Sequence, residues 1–146
     1  MDKSKIFSII QNKLSEKIDN FERLIAETRA SSNDTKSSMG DKYETSREML
    51  QQEINNLQIQ LNEIKKQQDF LKTIIPKISE KVEKGAVVET DRGLYFIAVS
   101  LGEIVFDHKK IVAISPESPL AKAMHGKTKS EIVTINNINQ TIKNIW

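Results

Sequence analysis

The chain has 146 residues, one domain's worth by length, with 22 Lys and Arg against 20 Asp and Glu and a formal net charge of +2. That balance excludes a protein held on DNA by bulk charge and a polybasic membrane binder. The absence of cysteine excludes disulfides, thiol nucleophiles and Cys-based zinc sites.

Met1-Asp2-Lys3-Ser4-Lys5 opens on an amphipathic pattern, not on the apolar block and cleavage site of a secretory leader. The longest apolar run, residues 94–99, is far too short to span a bilayer, so a cytoplasmic protein with no membrane partner is the expectation. Composition changes near Pro76: before it there is no proline and only Gly40, whereas after it come four further glycines, Pro116, Pro119 and many Val and Ile. This predicts an α+β chain, a helical half followed by a half built on a sheet.

In the first helix Phe7, Leu14, Phe21 and Thr28 stand seven apart, with Ile10 and Leu24 in the complementary positions and Lys17 as the exception. In the second, Leu50, Ile54, Leu57, Leu61, Ile64, Leu71, Ile75 and Ile78 follow steps of three and four, interrupted by Gln68. Each pattern keeps one seam apolar for knobs-into-holes packing. Residues 31–40, rich in Ser, Asn, Asp and Thr, break the helical pattern, and the second helix is expected to start near Ser38 with Asp41 three residues on. The economical arrangement is an antiparallel coiled-coil hairpin over residues 1–78 with its tip at 31–40; an intermolecular coiled coil is the competitor. A first helix of about 27 residues is about 40 Å long, more than a small domain needs for its own core, which implies a projecting rod.

Residues 79–84 read as a short charged junction. Beyond it, 86–90 leads through Asp91-Arg92-Gly93 to an apolar strand at 94–100. Residues 103–106 and 109–114 form a strand pair around Asp107-His108, and 131–136 with 140–146 a last hairpin around Asn137. Between them Ser118 caps a short helix with Pro119 at its first position, and Gly126 stops it. An antiparallel sheet with one short helix follows for residues 85–146.

The stretch Ser115-Pro116-Glu117-Ser118-Pro119-Leu120-Ala121-Lys122-Ala123-Met124-His125-Gly126-Lys127 resembles the C-terminal domain of the Gre transcription elongation factors (GreA and GreB), which carry Ser-x-x-Ser-Pro-aliphatic-small-basic-Ala-aliphatic-x-Gly-Lys there. Val87-Val88 and the run from Gly93 to Val99 match that family's first strands, and Ile142 and Ile145 its last. The resemblance implies an FKBP-like C-terminal fold and a factor with bacterial RNA polymerase as its partner; a monomer is the expectation. Family members seat this domain at the rim of the polymerase secondary channel, through a corner that matches Glu117, Ser118, Pro119 and Leu120. They pass the coiled coil into the channel, near nascent RNA. Acidic residues at the tip help hold a Mg²⁺ shared with the polymerase, which hydrolyses backtracked transcript; no cofactor is intrinsic to the factor and it is not itself the enzyme.

At the tip this chain departs from the family form Asp-Leu-Ser-Glu-Asn-Ala-Glu-Tyr. Aligned on Ser38 and Tyr43, the two functional acids become Lys36 and Met39. A cation and a thioether cannot replace metal-binding carboxylates, whose oxygens Mg²⁺ requires. Asp34, Asp41 and Glu44 are the carboxylates left to form a shifted pair. A factor that occupies the channel without stimulating cleavage is therefore an alternative, and an FKBP-like prolyl isomerase or a coiled-coil chaperone are alternatives of different class. His108 and His125 lack ligand spacing, and Phe70 and Trp146 read as packing residues.

Overall fold

The computed structural model describes the backbone of residues 1–34 and 41–146, and the side chains of 1–31 and 46–146. Its elements run α1 (Lys3–Asp34), α2 (Asp41–Lys72), β1 (Val87–Thr90), β2 (Gly93–Ile97), β3 (Gly102–Phe106), β4 (Lys109–Ile114), α3 (Pro119–Met124), β5 (Ile132–Ile135) and β6 (Ile138–Ile145). The expected α+β class holds. Most of the expected tip, and with it Lys36, Ser38 and Met39, lies outside the described residues. The chain divides into two compact units, Asn12–Gln68 on the one hand and Met1–Gln11 with Asp69–Trp146 on the other.

In the helical unit Ile25, Ile54 and Leu61 are buried, with Ile18, Phe21 and Leu57 packed against them. The pairing is antiparallel for a simple reason of reach. The six residues between the helices span at most about 25 Å, less than the length of about 48 Å of the 32-residue α1 that a parallel partner would have to retrace. An ion pair between Lys65 and Glu22, at 3.8 Å, crosses the two helices. One expectation is corrected. Leu24 is 40 % exposed and Ile25 takes its place in the seam, with Ile18 in place of Lys17. The second column of the α1 seam therefore sits four residues after Leu14 and Phe21, not three, a drift that a 3.6-residue turn makes against a strict heptad.

The second unit is a six-stranded sheet of order β3-β4-β2-β1-β6-β5, covered by helix on both faces. The expectation of an antiparallel sheet needs one correction: β2 pairs with β4 in parallel, Leu94 opposite Ile111 and Ile97 opposite Ile114, which makes the sheet mixed. The two β-turns at its ends use left-handed residues, Asp107 (φ 51°) with His108 (φ 63°) and Asn136 (φ 49°) with Asn137 (φ 64°), the type I′ geometry that suits two-residue hairpins.

On one face the first turns of α1 are seated. Phe7 meets Phe96 edge to face with ring centroids 5.1 Å apart, and Ile6 and Ile10 are fully buried. On the other face α3 lays Ala121 and Met124 onto Val88, Ile97, Val133 and Ile142. The second helical seam stops short of its expected end. α2 finishes at Lys72, Thr73 and Ile74 close a tight turn onto Phe70 and Leu71, and Pro76 forbids continuation. Ile75 and Ile78 are consequently 76 % and 84 % exposed and belong to no seam.

Lys3 is a buried lysine, its ammonium donating to the main-chain carbonyls of Lys77 and, at 3.0 Å, Trp146. Burial pulls its pKa below the ordinary 10.5, against the opposing pull of Glu83 and with a smaller push from Lys77. The unfolded chain therefore holds the proton to higher pH than the folded one, and stability rises as pH climbs from the folded pKa towards 10.5. In urea titrations between about pH 8 and 11 the unfolding free energy of the wild type is expected to gain on that of Lys3→Met, and a difference that stays flat across this window would contradict the buried, charged assignment.

Candidate functional site

The corner between β4 and α3 is built by its own polar atoms. Ser115 Oγ accepts from the Glu117 N–H at 3.1 Å and the Ser115 carbonyl accepts from the Ser118 N–H at 3.0 Å, which turns the chain out of the sheet. Ser118 then stands at φ −64° and ψ 150°, and its Oγ accepts from the Ala121 N–H at 3.2 Å. This N-cap contributes about 1 kcal/mol to so short a helix. Pro119 occupies the first helical position, where a missing N–H leaves nothing unsatisfied.

The far end of α3 is fastened as firmly. Gly126, at φ 78°, donates to the Val82 carbonyl at 2.8 Å, and Val82 donates to the Lys127 carbonyl at 2.8 Å. The glycine is needed there because its left-handed backbone brings the amide round onto Val82. The expected cap, first-position proline and terminating glycine are all found.

Of the four residues read as a recognition corner, two point outward. Glu117 is 84 % exposed at its side chain and pairs at 3.5 Å with Lys122, an ion pair of little energetic weight at that exposure. Pro119 is exposed beside it. Ser118 is committed to capping, and Leu120 is half-buried against the core under α3.

β4 runs straight into this corner, and two of the residues exposed on the sheet were not singled out from the sequence. Val112 on β4 and Val105 on β3 share the α3 face, since Val112 is opposite Tyr95, which packs under α3, and Val105 is opposite Lys110, two residues before Val112. Val105 is 60 % exposed and Val112 36 %, beside a Lys110–Glu103 ion pair of 3.4 Å. The signal was present in the alternation Glu103, Val105 and Lys110, Val112, but only the strand register puts them on one face with α3. Val105 and Val112 thus form a small exposed apolar pair with charged flanks, and Val112 lies on the strand that runs into the corner.

The remaining candidates carry less. The side chains of Asp34, Asp41 and Glu44 lie outside the described residues. Among the described residues no three His, Asp or Glu come together as a metal site. His108 sits in the β3–β4 turn and His125 caps the end of α3. Nor is any helix among the described residues long and apolar enough to cross a membrane.

No family model matches the chain, and no curated protein matches it. Among solved structures it is similar to GreA factor homolog 1 (Gfh1) of Thermus thermophilus, at 16% identity and TM-score 0.38 over 93% of this chain and 94% of that one. A second structure, described as the transcription factor Gfh1, gives 16% identity and TM-score 0.37 over 91% and 89% of the two chains. Gfh1 of Thermus aquaticus gives 16% and 0.36 over 92% of each. Likenesses of this size are a weak link at the level of the fold alone.

Proposed function

We propose that this chain is a transcription factor of Gre type, which seats the Glu117–Pro119 corner on bacterial RNA polymerase and passes the antiparallel helical pair into the secondary channel. The observation that carries the reading is the thirteen-residue stretch 115–127. It resembles the family's polymerase-contacting segment, and each of its special residues has a structural role in the corner: Ser118 caps, Pro119 starts, Gly126 stops. A surface so braced changes little on binding, which favours recognition over catalysis. The antiparallel pairing of α1 and α2 adds support, because a thin two-helix element can enter a channel that a globular domain cannot.

The factor works through the polymerase active centre and brings no metal of its own. Mg²⁺ there takes one or two carboxylates besides water and phosphate, and Asp34, Asp41 and Glu44 are the carboxylates this tip can offer. Lys36 and Met39, at the positions of the family's acidic pair, favour the form that occupies the channel and modulates elongation without driving cleavage. The cytoplasm is the matching compartment and contact with nascent RNA is indirect.

Stalled, backtracked elongation complexes with Mg²⁺ test this directly. Saturating protein is expected to change the rate of elongation through pause sites. Where transcript cleavage is accelerated as well, the combined Asp34→Asn, Asp41→Asn and Glu44→Gln variant removes at least about tenfold of that acceleration while still binding. Acceleration that survives the triple variant would rule out tip carboxylates as its source. No effect on either elongation or cleavage would overturn the reading.

A further inference from the structure

The start of α1, the β3–β4 turn and the end of β6 enclose a half-open cavity of about 460 Å³, within the roughly 300–1,000 Å³ typical of small-molecule sites. Two aromatic side chains, Phe106 and Trp146, line it and are each half-buried. Lys5 and Lys109 line it too, and among the described residues neither ammonium has a carboxylate within ion-pair distance, although Asp2 and Asp107 lie in the same wall. The Asp2 carboxylate is turned to the backbone, accepting from the Lys5 N–H at 3.3 Å.

These groups stand on fixed main chain. Trp146 exchanges two backbone hydrogen bonds with Val87, at 2.8 and 3.0 Å, and its carbonyl also receives the Lys3 ammonium. Phe106 and Lys109 are opposite each other across the type I′ turn that carries Asp107.

We propose that this cavity binds a free nucleotide, with the base against Trp146 and Phe106 and the phosphate between Lys5 and Lys109. An inorganic anion would leave the two aromatic side chains unused, and a purely apolar ligand would leave the two ammonium groups unused. A nucleotide uses both: planar stacking suits every base, charge-assisted bonds suit phosphate, and Asp107 is a ready acceptor for an exocyclic amine. Trp146, which reads from sequence as a packing residue, becomes the floor of a basic and aromatic site only once the fold brings Lys5 and Lys109 beside it. The inference is independent of the polymerase reading, because the isolated chain reports it.

The chain has a single tryptophan, so fluorescence excited selectively at tryptophan, beyond the absorption of its two tyrosines, reports on this cavity. Titration of the full chain with AMP is expected to change Trp146 emission saturably, with Kd on the order of 10–100 µM. Lys5→Ala combined with Lys109→Ala, both at exposed positions, raises that Kd at least about tenfold with an unchanged circular dichroism spectrum. Equilibrium dialysis with labelled AMP gives the same ranking. Sodium phosphate alone and adenosine alone each bind at least about tenfold more weakly than AMP. No saturable change by about 1 mM AMP, equal binding by the double variant, or phosphate or adenosine as good as AMP would each overturn the proposal.

Discussion

Replacing Phe96 by alanine is expected to lower the unfolding free energy by about 3–5 kcal/mol in urea titrations, a large part of the roughly 5–15 kcal/mol that holds a domain of this size together. Phe96 is completely buried, and its ring is the surface against which Phe7 packs at 5.1 Å with the ring planes 72° apart. Truncation removes the apolar burial, the edge-to-face contact and the seat of the first turns of α1 at once, and close-packed interiors relax only partly into such a space. The loss should appear together in near-ultraviolet signal and in hydrogen exchange of residues 3–11. A loss below about 1 kcal/mol would mean that α1 is not seated on the sheet through this pair.

Gly85→Ala is the second large effect, and its cause is backbone. Gly85 has φ +90°, and a Cβ built there would lie 2.7 Å from Ile74 Cγ2, a methyl fixed on a branched carbon. Its amide donates to the Ile97 carbonyl at 2.7 Å, so the peptide cannot swing away without losing a sheet hydrogen bond. Left-handed strain and overpacking together cost about 2–4 kcal/mol. Combining it with Ile74→Ala separates the two: the double variant is expected to lose less than the sum of the singles, and the shortfall measures the steric part. Strict additivity would show that the clash is relieved elsewhere.

What the sequence makes legible here is local. Period-two alternation and turn residues find all six strands, and Ser118, Pro119 and Gly126 mark α3 to the residue, because capping and left-handed positions depend on neighbours within one turn. What it conceals is pairing at a distance. Nothing in 93–97 or 109–114 announces that these strands lie side by side in parallel, with β3 displaced to the edge. Phe7 reads as a member of a helical seam, and only the sheet reveals that it packs on Phe96.

Lys3 is hidden for another reason, since lysines are nearly always solvated and no pattern marks one whose partners are carbonyls 74 and 143 residues away. The apolar steps to Ile75 and Ile78 mislead because periodicity continues where Pro76 has already made a helix impossible. At the corner, Glu117, Ser118, Pro119 and Leu120 stand out in the sequence as a group, yet their division into two outward residues, one cap and one half-buried residue is set by the fold, as is the position of Val105 and Val112.

The most direct test of the account is the affinity of the chain for core bacterial RNA polymerase, compared with that of a Glu117→Lys, Pro119→Asp double variant. Both positions are exposed, and aspartate at the first position of α3 is compatible with its helix, so the variant keeps the fold while changing the charge of the corner. The expected result is wild-type binding with Kd below about 1 µM and a loss of at least about tenfold in the variant, at unchanged thermal stability. Wild-type protein that shows no saturable binding by about 10 µM, or a variant that binds as tightly as the wild type, would contradict it.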